Sequence, residues 1–261
     1  MRDGQVTLEH FDQWLEDDSD VAALVMRQKL EPVEGKDAII FPPTYRNPER
    51  VREEDWLGYN IDQFDDGTRV CQIDSVGSQG NRMELIFKRE PYSKLVPHIV
   101  IKAGEHEINL LDAGHRAADA RFRFSDLAKE FEDAFTAIKA GDAEPMAKIA
   151  PTPLMFGVWD SRATQVKVPR IVRSVIRAFG VEVVHRSATY IPAIDYVEEG
   201  LLDAPSNRPE QDKRSQLGLS HATPSWTHGG VQVRGEIRRD AALNLAALRA
   251  LGAGKDRSAG T

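Results

Sequence analysis

Three short stretches hold the residues that could do chemistry. The first is Ser75-Val-Gly-Ser-Gln-Gly-Asn-Arg82, which follows a β-like run from Thr68 to Ile73. A strand that ends in Gly77-Ser-Gln-Gly80 offers backbone N–H groups with no Cβ in the way of a ligand. Ser78, Gln79, Asn81 and Arg82 add side-chain donors within the same few residues. Several neutral donors beside one planar cationic fork suit a phosphodiester backbone. Gly-x-x-Gly is also the spacing with which KH modules clamp nucleotide backbone. The same glycines would equally serve a strand-to-helix turn that binds nothing. The second stretch is Asp112-Ala-Gly-His115-Arg116 and the third is Asp160-Ser-Arg162, the last at the end of an expected strand. If the three ends converge, Arg82, Arg116 and Arg162 line one groove with His115, and Lys167, Arg170 and Arg173 extend it. Single-stranded nucleic acid needs such a track of fixed positive charge with neutral donors between. Trp159, Tyr190 and Trp226 are available either as stacking aromatics or as core.

Catalysis is the rival chemistry. Asp112, His115 and Asp119 fall within eight residues, and with Asp160 they would hold a divalent metal for phosphodiester hydrolysis. No second histidine stands at ligand spacing, and a histidine bonding a backbone carbonyl in a tight turn accounts for His115 as well. Cys71 lies inside an apolar run, where a thiol is inert core. Gly252-Ala-Gly-Lys255 fails as a phosphate loop, because Arg249 stands where the first glycine belongs and Asp256 where Ser or Thr is required. No dinucleotide glycine fingerprint follows a strand. The residues therefore imply a binding protein with no cofactor and no resident metal, and a metal-dependent nuclease as the alternative.

The chain of 261 residues is long enough to bury a sizeable core. Its single cysteine excludes a disulfide framework and a cysteine-based zinc site. No apolar run approaches the roughly 20 residues that span a bilayer, and the first residues lack a signal pattern. A soluble, cytoplasmic protein is expected. The net charge of −7 is unevenly placed. Residues 1–66 carry 17 acidic against 7 basic side chains, so the remainder is net positive by 3. Local patches, not totals, decide where a polyanion binds.

The elements that must position these groups are read from periodicity. Residues 7–30 read as two short helices. Ala38–Phe41 is a short strand stopped by Pro42-Pro43, and Pro42–Gly67 is a long insertion. Leu95–Ile101 and His106–Leu111 form a hairpin around Ala103-Gly104. Ser125 caps a helix that buries Leu127, Phe131, Ala134, Phe135 and Ile138 and stops at Gly141. Leu154–Trp159 reads as a buried strand. Residues 169–179 fit a helix by spacing and a strand by β-branched content. Val181–Ile191 is a strand, Pro192–Thr227 a second long insertion, and Val231–Ile237 a cleanly alternating strand. Asp240 caps a final helix to Leu251, and residues 252–261 read as a disordered tail. Together these describe one α+β domain over residues 1–251, with insertions near 42–67 and 192–227.

An ordered set of motifs adds a family to this reading. Phe41-Pro-Pro-Thr-Tyr45, Ile73-Asp-Ser-Val-Gly-Ser-Gln-Gly-Asn-Arg-Met-Glu84, Leu110-Leu-Asp-Ala-Gly-His-Arg-Ala-Ala-Asp119 and Phe156-Gly-Val-Trp-Asp-Ser-Arg162 occur in that order. Arg186-Ser-Ala-Thr-Tyr190, Gly229-Gly-Val231, Arg239-Asp-Ala241 and Leu243-Asn-Leu245 follow. From about Phe41 to Leu251 the chain resembles the backbone RAMP subunit of type I-U (I-G) CRISPR surveillance complexes, of the Cascade kind. The resemblance implies an RRM-like (ferredoxin-like) palm with inserted thumb and finger segments. It implies a non-catalytic subunit that stacks in copies along CRISPR RNA, presents the guide to target DNA and meets other effector subunits in an antiviral ribonucleoprotein. The family motif reads Ser-Gln-Ala-Asn-Arg, and Gly80 replaces its alanine here, which should loosen the turn. Pro192–Thr227 is the preferred thumb, with Pro42–Gly67 as the second choice.

Overall fold

The structure, a computed structural model, describes residues 7–47, 56, 58–222 and 227–252. The chain opens with helix α1 (Leu8–Leu15), then strands β1 (Ala23–Leu30), β2 (Ile39–Ile40), β3 (Ile61–Gln63) and β4 (Arg69–Asp74). Helix α2 (Val76–Glu84) follows, then the hairpin β5 (Val100–Ala103) and β6 (His106–Asn109). Four helices come next: α3 (Ala120–Arg123), α4 (Ala128–Lys139), α5 (Glu144–Ile149) and α6 (Thr152–Phe156). Strands β7 (Val158–Trp159), β8 (Lys167–Val168), β9 (Val172–Phe179) and β10 (Val181–Arg186) precede α7 (Arg208–Gln216). The chain closes with β11 (Thr227–Val233), β12 (Ile237–Asn244) and α8 (Leu245–Gly252). This is an α+β protein with antiparallel pairing, as its mixed periodicities predict.

The chain divides into two compact units, one from Met1–Leu30, Asp74–Arg177 and Arg238–Thr261, the other from Glu31–Ile73 and Ala178–Ile237. In the second unit β3 pairs with β4, and β11 lies between β10 and β2. Cys71 is fully buried in β4, and burial pushes its thiol up to about 11. The 192–227 insertion carries α7, capped by Asn207, and an isolated bridge joins Tyr190 to Ala222. Residues 48–55, 57 and 223–226 of the two insertions lie outside the described residues, as do 253–261 of the expected tail.

In the first unit, β12 lies between β1 and β9. Beside them a helical layer packs Leu110, Phe122, Phe131, Phe135, Met146 and Leu154 around buried Val158 and Val168. Phe122 and Phe131 meet edge to face at 5.6 Å, a geometry favoured by the ring quadrupoles. The helix over 128–139 and its stop at Gly141, with φ of +88°, match the apolar stripe in the sequence.

Several elements differ from expectation. Ala23–Leu30 forms strand β1, not helix; its residues are mostly exposed, so no apolar stripe held them helical. Leu154–Trp159 divides into α6 and the two-residue β7, because Pro153 suits a first helical turn and Gly157, at φ of +79°, reverses the chain. Residues 172–179 are strand, as their β-branched content allowed. Asp240 does not cap a helix: it sits in β12 and pairs with Arg27 and Arg238, while Asn244 accepts from the Ala247 amide at the start of α8. Most consequential, Ser75–Arg82 is not a polar turn. Helix begins at once, with the Ser75 hydroxyl accepting from the Ser78 amide.

Gly77 and Gly80 are therefore helix residues. A Cβ on Gly80 would meet Arg116 Nη2 at 3.7 Å and Phe156 at 3.8 Å, ordinary contact distances. Gly157 differs, since a Cβ there would lie 2.7 Å from Arg170 Cγ and 3.1 Å from the Val168 carbonyl oxygen. Gly80→Ala is expected to stabilise the protein by about 0.5–1 kcal/mol, the ordinary helix-interior difference between the two residues, and Gly157→Ala to destabilise it. Chemical denaturation midpoints of the two variants check both signs.

Candidate nucleic-acid interface

Helix α2 is held from below by a polar network that begins at the end of β4. Buried Asp74 accepts from Gln79 Nε2 and, at 2.8 Å, from Arg82 Nη1. The Gln79 oxygen accepts from the Ser174 hydroxyl at 2.9 Å, tying the helix to β9. Because successive strand residues face opposite sides, Ser174 turns toward α2 and Arg173 turns away from it. Gln79 is thus an internal strut and not a ligand donor. Arg82 keeps one bond to Asp74 while its side chain stays 68 % exposed.

Arg116 is the second departure from the predicted groove. Its side chain is 5 % exposed and its backbone adopts φ of +51°. Nε donates to Glu84 at 2.7 Å, Nη1 to the Gly157 carbonyl at 3.1 Å and Nη2 to Asn81 at 3.0 Å, with the Phe156 ring beneath at 5.7 Å. A guanidinium with this many protein acceptors is committed to the core and is not a phosphate clamp. Burial pushes the Glu84 carboxyl up, and the Arg116 guanidinium and the Thr152 hydroxyl oppose that rise. Two of the three motifs, at α2 and at Arg116, and the start of the third at Gly157 therefore do converge, through a buried ion pair.

The third motif forms a hairpin. Val158 pairs with Val168 and Trp159 with Lys167. The valines are buried, while Trp159 is 59 % exposed with Lys167 Nζ 5.6 Å from its ring centre. Asp160 closes the loop by accepting from the amides of Ala163 and Thr164 and from the Thr164 hydroxyl, and Arg123 reaches it at 3.1 Å. Burial raises the Asp160 carboxyl, but these donors outweigh it and hold the group below the usual carboxylate range. Asp112 instead pairs with Lys88 at 2.7 Å on the surface. Among the described residues, no group of three His, Cys, Asp or Glu is disposed to hold a metal. The triad Asp112, His115 and Asp160 is not assembled as a metal site.

Of the predicted contacts, Asn81, Arg82, His115, Arg162, Lys167, Arg170 and Arg173 are exposed and Ser78 is partly so. Arg170 packs over Gly157 and brings Nη2 to within 3.8 Å of the position a Cβ on Gly77 would take, at the second residue of α2. No carboxylate partner of Arg170, Lys167 or Arg162 occurs among the described residues. Tyr190 belongs to the other unit and hydrogen-bonds the Gly218 carbonyl, and Trp226 lies outside the described residues. Sequence reasoning assigned no role to Asp74, Glu84 or Gly157. The signal for the first two was present, since carboxylates bracketing a donor-rich segment are acceptors for some of those donors.

Arg116→Ala is expected to cost about 3–5 kcal/mol in unfolding free energy, as for the loss of one partner of a buried pair. Arg116→Lys should recover only part of this, since an ammonium cannot serve the three acceptors as a planar fork does. The raised Glu84 carboxyl also has a sign: the folded protein binds this proton more tightly than the unfolded chain. The stability of wild type relative to Glu84→Gln should therefore fall as pH climbs from the ordinary carboxylate range through the raised value. Denaturant titrations at a series of pH values measure it.

A comparison with curated proteins finds no significant match. The family model of CRISPR-associated protein GSU0053 (Cas_GSU0053) matches residues 24–183, more than half of the chain. The match runs from β1 into β10 and takes in α2, the Arg116 turn and the β7–β8 hairpin. This chain belongs to the Cas_GSU0053 family of CRISPR-associated proteins.

Proposed function

We propose that this protein is a non-catalytic, CRISPR RNA-binding backbone subunit that multimerises along the guide and presents it for pairing with target DNA. One observation carries the reading: Arg170 holds a guanidinium beside the first turn of α2. A helix N-terminus is already positive, so a cation there is of the wrong sign. A phosphate placed between them relieves the repulsion, accepting from helix amides and from the planar fork together. Arg82, the Asn81 amide and the Ser78 hydroxyl stand on the same helix, and Lys167 and Arg162 continue the charge along the neighbouring hairpin. His115 and Arg173 are further exposed donors in the same unit. Gln79 and Arg116 serve by holding α2 in place.

Membership of a CRISPR-associated family supports the same reading. The partners are CRISPR RNA, target DNA through guide pairing, further copies of this chain and other effector subunits in the cytoplasm. The first unit is an RRM-like palm with its last strand central, and the 192–227 insertion is the thumb. Among the described residues no helix is long and apolar enough to cross a membrane. Hydrolysis through Asp112, His115 and Asp160 is the weaker reading, since both carboxylates are engaged by other side chains.

Arg170→Ala is expected to weaken binding of single-stranded RNA alike for unrelated sequences. It should lower the slope of log affinity against log salt by about 0.7 for the lost phosphate contact. Arg82→Ala should act in the same direction. Filter binding across a salt series measures both, and an unchanged slope for Arg170→Ala removes the α2 phosphate site.

A further inference from the structure

We infer that Trp159, braced by Lys167, is a stacking platform for one nucleobase of the bound strand. The inference rests on the RNA-binding reading and adds to it a base contact, where that reading supplies only phosphate contacts. Trp159 occupies a paired position in a two-stranded hairpin whose other pair, Val158 and Val168, is buried in the core. The alternation of a strand turns the tryptophan the opposite way, and more than half of it meets solvent. The outward-facing indole leaves a flat apolar face open to a planar partner.

Two properties of the hairpin suit a base. It is rigid, because Asp160 gathers donors from Ala163 and Thr164 across the loop and Arg123 fastens that carboxylate to the helical layer. A ring held in one orientation loses little freedom on binding. It is also positive, because Lys167 stands over the ring at 5.6 Å and Arg162 is exposed on the loop, while the loop's own carboxylate, Asp160, is buried and bonded inward. An apolar protein partner would have to desolvate those cations, whereas a nucleotide brings a π-face for the indole and a phosphate for the lysine. The hairpin also begins at Val158, the residue directly after Gly157, which lies under Arg170. A strand whose phosphate sits at α2 therefore continues toward the platform. Every base has a π-face, so the contact reads no sequence, as a protein that accepts any guide requires.

The test compares a short oligouridylate with an abasic ribose-phosphate oligomer of the same length and charge, bound to full-length protein at fixed salt. Wild type should prefer the base-bearing oligomer by roughly 5- to 150-fold, the range for one base on an aromatic ring. Trp159→Ala should bind both oligomers alike, at the abasic affinity and with an unchanged salt slope, while Trp159→Phe keeps part of the preference. Lys167→Gln should lower the salt slope. Equal wild-type affinity for the two oligomers overturns the platform and leaves the RNA reading standing. So does a preference that survives in Trp159→Ala, or a loss in that variant equal for both oligomers. Failure of wild type to bind either oligomer overturns the RNA reading itself, and the platform with it.

Discussion

A buried guanidinium needs an acceptor for each of its edges, and Arg116 obtains them from two separate parts of the chain, helix α2 and the turn at Gly157. Glu84 supplies charge, Asn81 an amide oxygen and Gly157 a backbone carbonyl. Each acceptor in turn constrains its own element. Asn81 and Glu84 must share a face of α2, which their three-residue separation provides. Gly157 must turn its carbonyl inward at a positive φ where a side chain would strike Arg170. Arg116 itself adopts a left-handed conformation to reach them, a strain that the surrounding bonds over-determine. Such a pair adds little net stability relative to a well-packed apolar core, but removing either partner leaves the other stranded. It acts as a register pin for the three segments.

That pin decides which cations are left for solvent. Arg82, Arg162, Lys167, Arg170 and Arg173 remain exposed, while Arg116 is withdrawn and Arg123 is spoken for by Asp160. A count of basic residues along the chain cannot separate these classes, because the separation depends on which carboxylates fold against them. The useful positive charge is smaller than the sequence total suggests and better placed. It sits at a helix start and along a rigid hairpin, where neutral donors and an exposed indole accompany it.

The stretch Ser75–Arg82 shows how close local reasoning came and where it stopped. Its donors and glycines were legible, as was Ser75 before an element boundary. Read as a turn, though, the glycines served ligand approach; in the helix it is, a Cβ at either would make only ordinary contact with Arg116, Phe156 or Arg170. Propensity argued against helix for a segment with two glycines, and tertiary packing overrode it. Residues 172–179 show the opposite case: the strand and helix patterns fitted equally well, and only a position between strand neighbours selected one.

By itself the sequence determined the amphipathic helix over 128–139, the hairpin around Gly104, the short strands at 39–40 and 181–186, the α+β character and the CRISPR association. Each of these depends on periodicity, turn chemistry or an ordered motif set, which are local along the chain. The tertiary structure alone decided that α2 is a helix, that β12 lies between β1 and β9, that Gln79 and Arg116 are internal, and that Trp159 is not. Those outcomes depend on which distant side chains meet. A buried arginine and a ligand-binding arginine have the same neighbours in sequence and differ only in what the fold brings against them.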